Sequence, residues 1–155
     1  ATISMVVISA GSKAILDIPK TLEMMETFGV TVLGYGVDEF PAFYSRCSGC
    51  FGIHRVDAPC DVATIYKNNI SAGILSSVLV ANPVPKENEI STDVIESIIE
   101  AACETAETLK VTGKEITPFL LKEIADKTNG KSLHANKALA LNNIKLGSKI
   151  AKELI

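Results

Sequence analysis

Lys13 stands just past a short apolar run, on a turn of small residues, Ser9-Ala10-Gly11-Ser12, and ahead of a helical pattern. A lysine so placed is a candidate nucleophile. Burial and the positive end of a following helix both disfavour the ammonium form and lower the amine's pKa. A neutral amine attacks carbonyl-like carbons. The same residues also describe a solvated lysine on a surface loop, which is the commoner arrangement.

Other residue types invite chemistry less strongly. Asp38-Glu39 could share acid–base work or hold a metal, but such pairs more often meet solvent or cap a helix, and no histidine accompanies them. Cys47-Ser48-Gly49-Cys50 has CxxC spacing without a second CxxC or an HxxxH, so zinc and redox readings are weak. His54 and His134 are isolated in sequence, and His134 reads as a surface residue. Towards the C-terminus, Asn136, Ala140, Asn143 and Gly147 fall on one helical stripe beside Leu139, Leu146 and Ile150. A stripe of amides and small residues admits a polar ligand or, equally, a closely packed neighbour. No Gly-rich phosphate loop of Walker or dinucleotide type is present.

These residues need elements to position them. Ile3 to Ile8 reads as a strand covered on both faces. A helix from Asp17 or Ile18 to Phe28 follows, with Asp17 as cap, Pro19 in its first turn and Gly29 as stop. Residues 30–35 form a second buried strand, which completes a βαβ unit. Residues 36–44 show no period and read as an ordered loop. A short strand over 52–56, a helix from Ala58 or Pro59 to Ile70 and a strand over 74–81 come next, closed by Asn82-Pro83-Val84-Pro85. Three helices finish the chain: one capped by Ser91 or Thr92, one opened by Thr117-Pro118 and stopped by Gly130, and one from Ser132 to about Glu153. The expected fold is a three-layer α/β/α architecture with a largely parallel or mixed central sheet. Ligands then collect outside the carboxyl ends of the strands, where the loops Ser9–Lys13, Tyr35–Tyr44 and Ala81–Pro85 meet.

Composition excludes several classes. With 47% hydrophobic and 21% charged residues the 155-residue chain is globular rather than disordered. A net charge of −3 and two arginines, Arg46 and Arg55, give no basic field for nucleic acid. No apolar run approaches the roughly 18–20 residues of a membrane span, and the start lacks a signal peptide's pattern; the expected location is cytoplasmic. The four cysteines read as reduced thiols. The chain opens directly into a strand without an initiator Met, which suggests a cut inside a larger domain.

The segment Val7-Ile8-Ser9-Ala10-Gly11-Ser12-Lys13-Ala14-Ile15-Leu16-Asp17-Ile18 resembles the V-x-S/C-A-G-x-K-S-I-L-D-I segment of pseudouridine-5'-phosphate glycosidases, also called pseudouridylate synthases or indigoidine-synthase-A-like proteins. Gly34-Tyr35-Gly36 with Asp38 to Tyr44 is similar to GYG-x-DEFPAFY, Asn82-Pro83-Val84-Pro85 to NPIP, and Thr117 to Leu121 to TPFLL. Ser132 to Asn136 with Asn142-Asn143 is similar to SLEAN…NN. The matches run in order over essentially the whole chain. Ala14, His134 and Lys137 depart from the pattern beside the site positions.

The resemblance implies reversible cleavage of the C–C glycosidic bond of pseudouridine 5'-phosphate to uracil and ribose 5-phosphate. Lys13 would attack the ribose C1' and hold the opened sugar as a Schiff base, and Asn136 would contact the substrate. It also implies a family chain about twice this length, with residues 1–155 as its C-terminal half. A proton-donating glutamate, a phosphate-binding lysine and the aspartate that holds Mn²⁺ would belong to the other half, the aspartate a little upstream of Ala1. This chain is thus expected to carry no metal ligand. The implied assembly is a homotrimer, acting on a small molecule without nucleic acid or membrane. Two further readings stay open: a non-catalytic half-domain that must pair with its missing half, and a Schiff-base, aldolase-like enzyme acting on another sugar phosphate.

Overall fold

The computed structural model describes residues 3–12 and 16–155. Among them, four strands form one sheet: β1 (Val6–Ser9), β2 (Thr31–Tyr35), β3 (His54–Val56) and β4 (Val78–Ala81). Their order is β1-β4-β2-β3, and every pairing is parallel, which resolves the expected parallel or mixed sheet as parallel. β4 is central, with Val78 opposite both Val6 and Thr31. Its four residues are all buried, which is why the sequence reads Val-Leu-Val-Ala without a polar alternation.

Helices cover both faces of the sheet. On one face, α2 (Pro59–Ser71) and α5 (Lys131–Leu154) bring Val62, Leu146 and Ile150 onto Leu33, Val56, Val78 and Val80. On the other, α1 (Ile18–Thr27) and the segment after β2 bring Ile18 and Phe40 onto Leu79 and Ala81. This is the expected α/β/α layering. A third cluster lies beyond the carboxyl ends of the strands. There α3 (Thr92–Thr108), α4 (Ile116–Lys127) and the first half of α5 pack around Ala10, Tyr44, Val84 and Ile90. Each fully buried Leu, Ile or Val contributes roughly 1.5–3 kcal/mol, so this cluster fixes the ends of three site loops to the helices.

Several boundaries differ from the sequence reading, each for a local reason. β4 starts at Val78 rather than Ile74. Gly73 takes φ 76° and the Ile74 N–H closes the end of α2 on the Asn69 carbonyl, which leaves Ile74 and Leu75 exposed. α4 starts at Ile116, after a single 3₁₀ turn over Gly113–Glu115, so Thr117 and Pro118 lie within its first turn, where a proline leaves no helical hydrogen bond unmade. α5 starts at Lys131, directly after the left-handed pair Asn129 and Gly130. Ser132 is therefore buried inside the helix rather than capping it. The Thr128 hydroxyl takes the capping role and accepts from the Ser132 N–H at 3.2 Å.

Candidate functional site at the carboxyl edge of the sheet

The backbone after β1 is held on both sides. The Asn82 N–H donates to the Ser9 carbonyl at 2.7 Å and carries the β1–β4 ladder one step beyond the strands. The Phe43 N–H donates to the Ala10 carbonyl at 3.1 Å, and Gly11 bridges Ala42 in antiparallel fashion. The Ser9 hydroxyl donates to the Gly11 carbonyl at 3.1 Å. Gly11 itself is obligatory: its φ is +94°, and a Cβ there would lie 1.7 Å from the Pro41 carbonyl oxygen. Lys13, two residues on, lies outside the described residues, as do Ala14 and Ile15. The described chain resumes with Asp17 capping α1, its carboxylate accepting from the Lys20 N–H at 3.0 Å. Hydrogen bonding to the Lys20 side chain first, and to its backbone next, holds Asp17 below the usual carboxylate range.

The segment after β2 is ordered, as expected. The Gly36 N–H reaches the Val56 carbonyl at 2.8 Å and the Phe40 N–H the Cys50 carbonyl at 2.9 Å. Phe43 adopts φ 67° and stacks edge-on to the buried Tyr44, with ring centroids 4.9 Å apart. Burial pushes the Tyr44 phenol up, against a hydrogen bond with Ser132 that lowers it. Tyr44 shares a buried cluster with Ala135 and Leu139 and so ties this segment to the first half of α5.

Asp38 and Glu39 do structural work. Asp38 pairs with Arg55 at 3.3 Å on the surface. The Glu39 carboxylate accepts from the Ser48 and Gly49 N–H groups and closes the turn between Cys47 and Cys50. Burial first, then the charges of Glu39 and Glu89, push the Cys47 thiol up, the opposite of what a reactive cysteine needs. Among the described residues no group of three or more His, Cys, Asp or Glu could hold a metal ion. His134 is exposed, as expected.

The second half of the α5 stripe packs against neighbours. The Asn82 side-chain N–H donates to Asn143 Oδ1 at 2.9 Å, and the Asn142 side-chain N–H donates to the Pro83 carbonyl at 3.2 Å. Gly147 allows close packing, because a Cβ there would lie 3.4 Å from Ile8 Cδ1. Asn136 is half-buried on the same flank, two turns before Asn143. Sequence reasoning treated Asn82 as part of a strand-closing motif and missed its amide contact. The signal was a polar residue directly after a fully apolar strand: at 5% exposure Asn82 needs a partner. Arg46 was also missed; its guanidinium donates to the Val84 carbonyl at 2.8 Å and braces the proline-rich segment.

A parallel α/β sheet whose polar and glycine-bearing loops converge at its carboxyl edge is an open α/β fold, and that edge is where such folds place their ligands. The family model for indigoidine synthase A like protein matches residues 1–153, and the chain belongs to that family. It is 49% identical over 147 residues to a protein of Petrotoga mobilis named pseudouridine-5'-phosphate glycosidase, covering 95% of this chain and 48% of that one. It is 46% identical over 154 residues to a protein of the same name from Caldanaerobacter subterraneus subsp. tengcongensis, covering 99% and 50%. An indigoidine synthase A-like protein of Thermotoga maritima superposes with a TM-score of 0.88 at 41% identity, over 99% of this chain and 51% of that one. The prealnumycin C-glycosynthase AlnA, solved with ribulose 5-phosphate, superposes with a TM-score of 0.90 at 26% identity, over 99% and 50%. The chain thus spans about half the length of the relatives it matches.

Proposed function

We propose that this chain is the C-terminal half of a pseudouridine-5'-phosphate glycosidase and supplies its nucleophile, Lys13. The observation that supports this reading is the convergence, at one edge of the sheet, of the Ser9–Ser12, Gly34–Tyr44 and Asn82–Pro85 segments, in a chain whose named relatives carry that activity's name. The C-glycosynthase neighbour, with its ribulose 5-phosphate, supports a sugar phosphate as ligand.

The chemistry explains the choice of lysine. A C–C bond to uracil has no leaving oxygen that an acid could protonate, unlike an ordinary glycoside. In the proposed reaction the Lys13 amine bonds to C1' and the ring oxygen departs as the C4' hydroxyl. The nitrogen lone pair then expels uracil, whose C5 takes the bonding electrons and a proton, leaving an iminium at C1'. Water adds to that carbon and releases ribose 5-phosphate and the free amine. Asn136, by the resemblance, would hydrogen-bond the bound sugar from α5. Asp38 is paired with Arg55 and Glu39 closes a turn. By the resemblance, manganese enters the proposal as held by the other half, and no step is routed through it. A homotrimer in the cytoplasm is part of the same proposal; no described helix is long and apolar enough to cross a membrane.

The test is reductive trapping in the full-length protein. Borohydride with ribose 5-phosphate is expected to attach the reduced sugar to Lys13, read by peptide mass spectrometry. A label on a different lysine, with Lys13 bare, defeats the assignment. Consumption of ribose 5-phosphate that depends on uracil separates this activity from an aldolase-like one.

A further inference from the structure

Asn82 and Asn143 form an amide pair at the head of the central strand. Asn82 follows Ala81, which lies opposite both Ser9 of β1 and Gly34 of β2. The pair therefore sits in the middle of the carboxyl edge, between the turn that leads to Lys13 and the loop after β2. Both partners are held from behind. The Asn82 N–H is tied to the Ser9 carbonyl, while Asn142 bonds Pro83 and Gly147 packs on Ile8 to fix the helix that carries Asn143. Two amides bring more hydrogen-bonding capacity than one mutual contact satisfies. The contact at 2.9 Å engages Asn82 Nδ2 and Asn143 Oδ1. It leaves Asn82 Oδ1 as an acceptor and Asn143 Nδ2 as a donor. Among the described residues neither atom takes part in another hydrogen bond.

We propose that this pair reads the base: Asn82 Oδ1 accepts from the imide N–H of the pyrimidine, and Asn143 Nδ2 donates to the carbonyl beside it. The internal bond of the pair fixes which end of each amide is free. What results is one acceptor next to one donor, without charge. That pattern discriminates among the parts of the proposed substrate, on whose identity the inference rests. A phosphate only accepts, so Asn82 Oδ1 would face it as a second, unmatched acceptor. A sugar hydroxyl must answer both groups through a single oxygen. The imide edge of uracil carries a carbonyl and an N–H side by side in one plane, and it meets both groups with one bond each. Asparagine amides read base edges elsewhere by the same two-bond logic. Asn136, two turns earlier on the same flank of α5, is left for the sugar.

The test measures binding rather than turnover. Equilibrium dialysis of uracil, 3-methyluracil and ribose 5-phosphate is run on the full-length protein and on its Asn143→Asp variant. That variant keeps the oxygen that Asn82 Nδ2 needs and exchanges the free donor for a second acceptor, so the buried bond survives. The parent is expected to bind uracil and to bind 3-methyluracil, which lacks the imide proton, about tenfold more weakly or worse. Asn143→Asp is expected to weaken uracil about tenfold more than it weakens ribose 5-phosphate. The proposal is overturned by a parent that does not bind uracil, or by one that binds the two pyrimidines alike, whatever the stability of the variant. A loss in Asn143→Asp that falls equally on uracil and ribose 5-phosphate overturns it too, because the pair is then structural. Borohydride trapping on the same samples reports separately on the nucleophile. A labelled Lys13 with uracil affinity unchanged in the variant sinks this inference alone. A bare Lys13 with uracil affinity selectively lost sinks the lysine assignment alone.

Discussion

At the scale of single residues, Gly11 is the most constrained position in the described site. Its left-handed φ and its contact with Pro41 are separate reasons to reject a side chain. Gly11→Ala is expected to destabilise the chain by about 2–4 kcal/mol, combining backbone strain with overpacking, as measured by urea unfolding; a loss within the error of the fit would show that the 41–44 segment yields freely. That segment holds the turn from which Lys13 departs. The sequence signalled the turn through its small residues. It gave no sign that Pro41, thirty positions away, is what the glycine accommodates, because that contact arises only when two loops meet at one sheet edge.

At the scale of elements, α5 is registered to the sheet by three contacts: Asn143 with Asn82, Asn142 with Pro83, and Gly147 with Ile8. Helical spacing placed Asn136, Asn143 and Gly147 on one stripe, and left open whether it bound a ligand or a neighbour. The structure assigns its second half to neighbours, since the asparagine at the end of β4 is buried and takes its acceptor from α5. Asn143→Leu strands the Asn82 amide and is expected to cost about 1–3 kcal/mol. Gly147→Ala places a methyl in near-ordinary contact with Ile8 and is expected to stabilise α5 by roughly 0.5–1 kcal/mol through helix propensity. Thermal melts of the two variants should move in opposite directions; a shared direction would show that α5 is not held to the sheet through this flank.

For the whole molecule, protection from solvent should follow position in the sheet rather than hydrophobicity. β1 and β4 read alike as apolar runs, yet β4 is central and covered on both faces while β1, among the described residues, has one neighbouring strand and half-exposed side chains. Hydrogen exchange of the chain alone is expected to be slowest at residues 78–81 and faster at 6–9, since opening an edge strand breaks fewer buried contacts; equal protection would mean that the β1 edge is already covered, for instance by self-association. The sequence by itself determined the alternation of strands and helices, a layered α/β/α fold, most element limits to within a residue or two, and the segments that carry the family likeness. These depend on local periodicity, caps and breakers, which are written in consecutive residues. Only the tertiary structure decided that every strand pairing is parallel, the strand order, the engagement of Asp38 and Glu39, and the pairing of Asn82 with Asn143. Those depend on which distant surfaces come together, and short-range pattern carries no record of that.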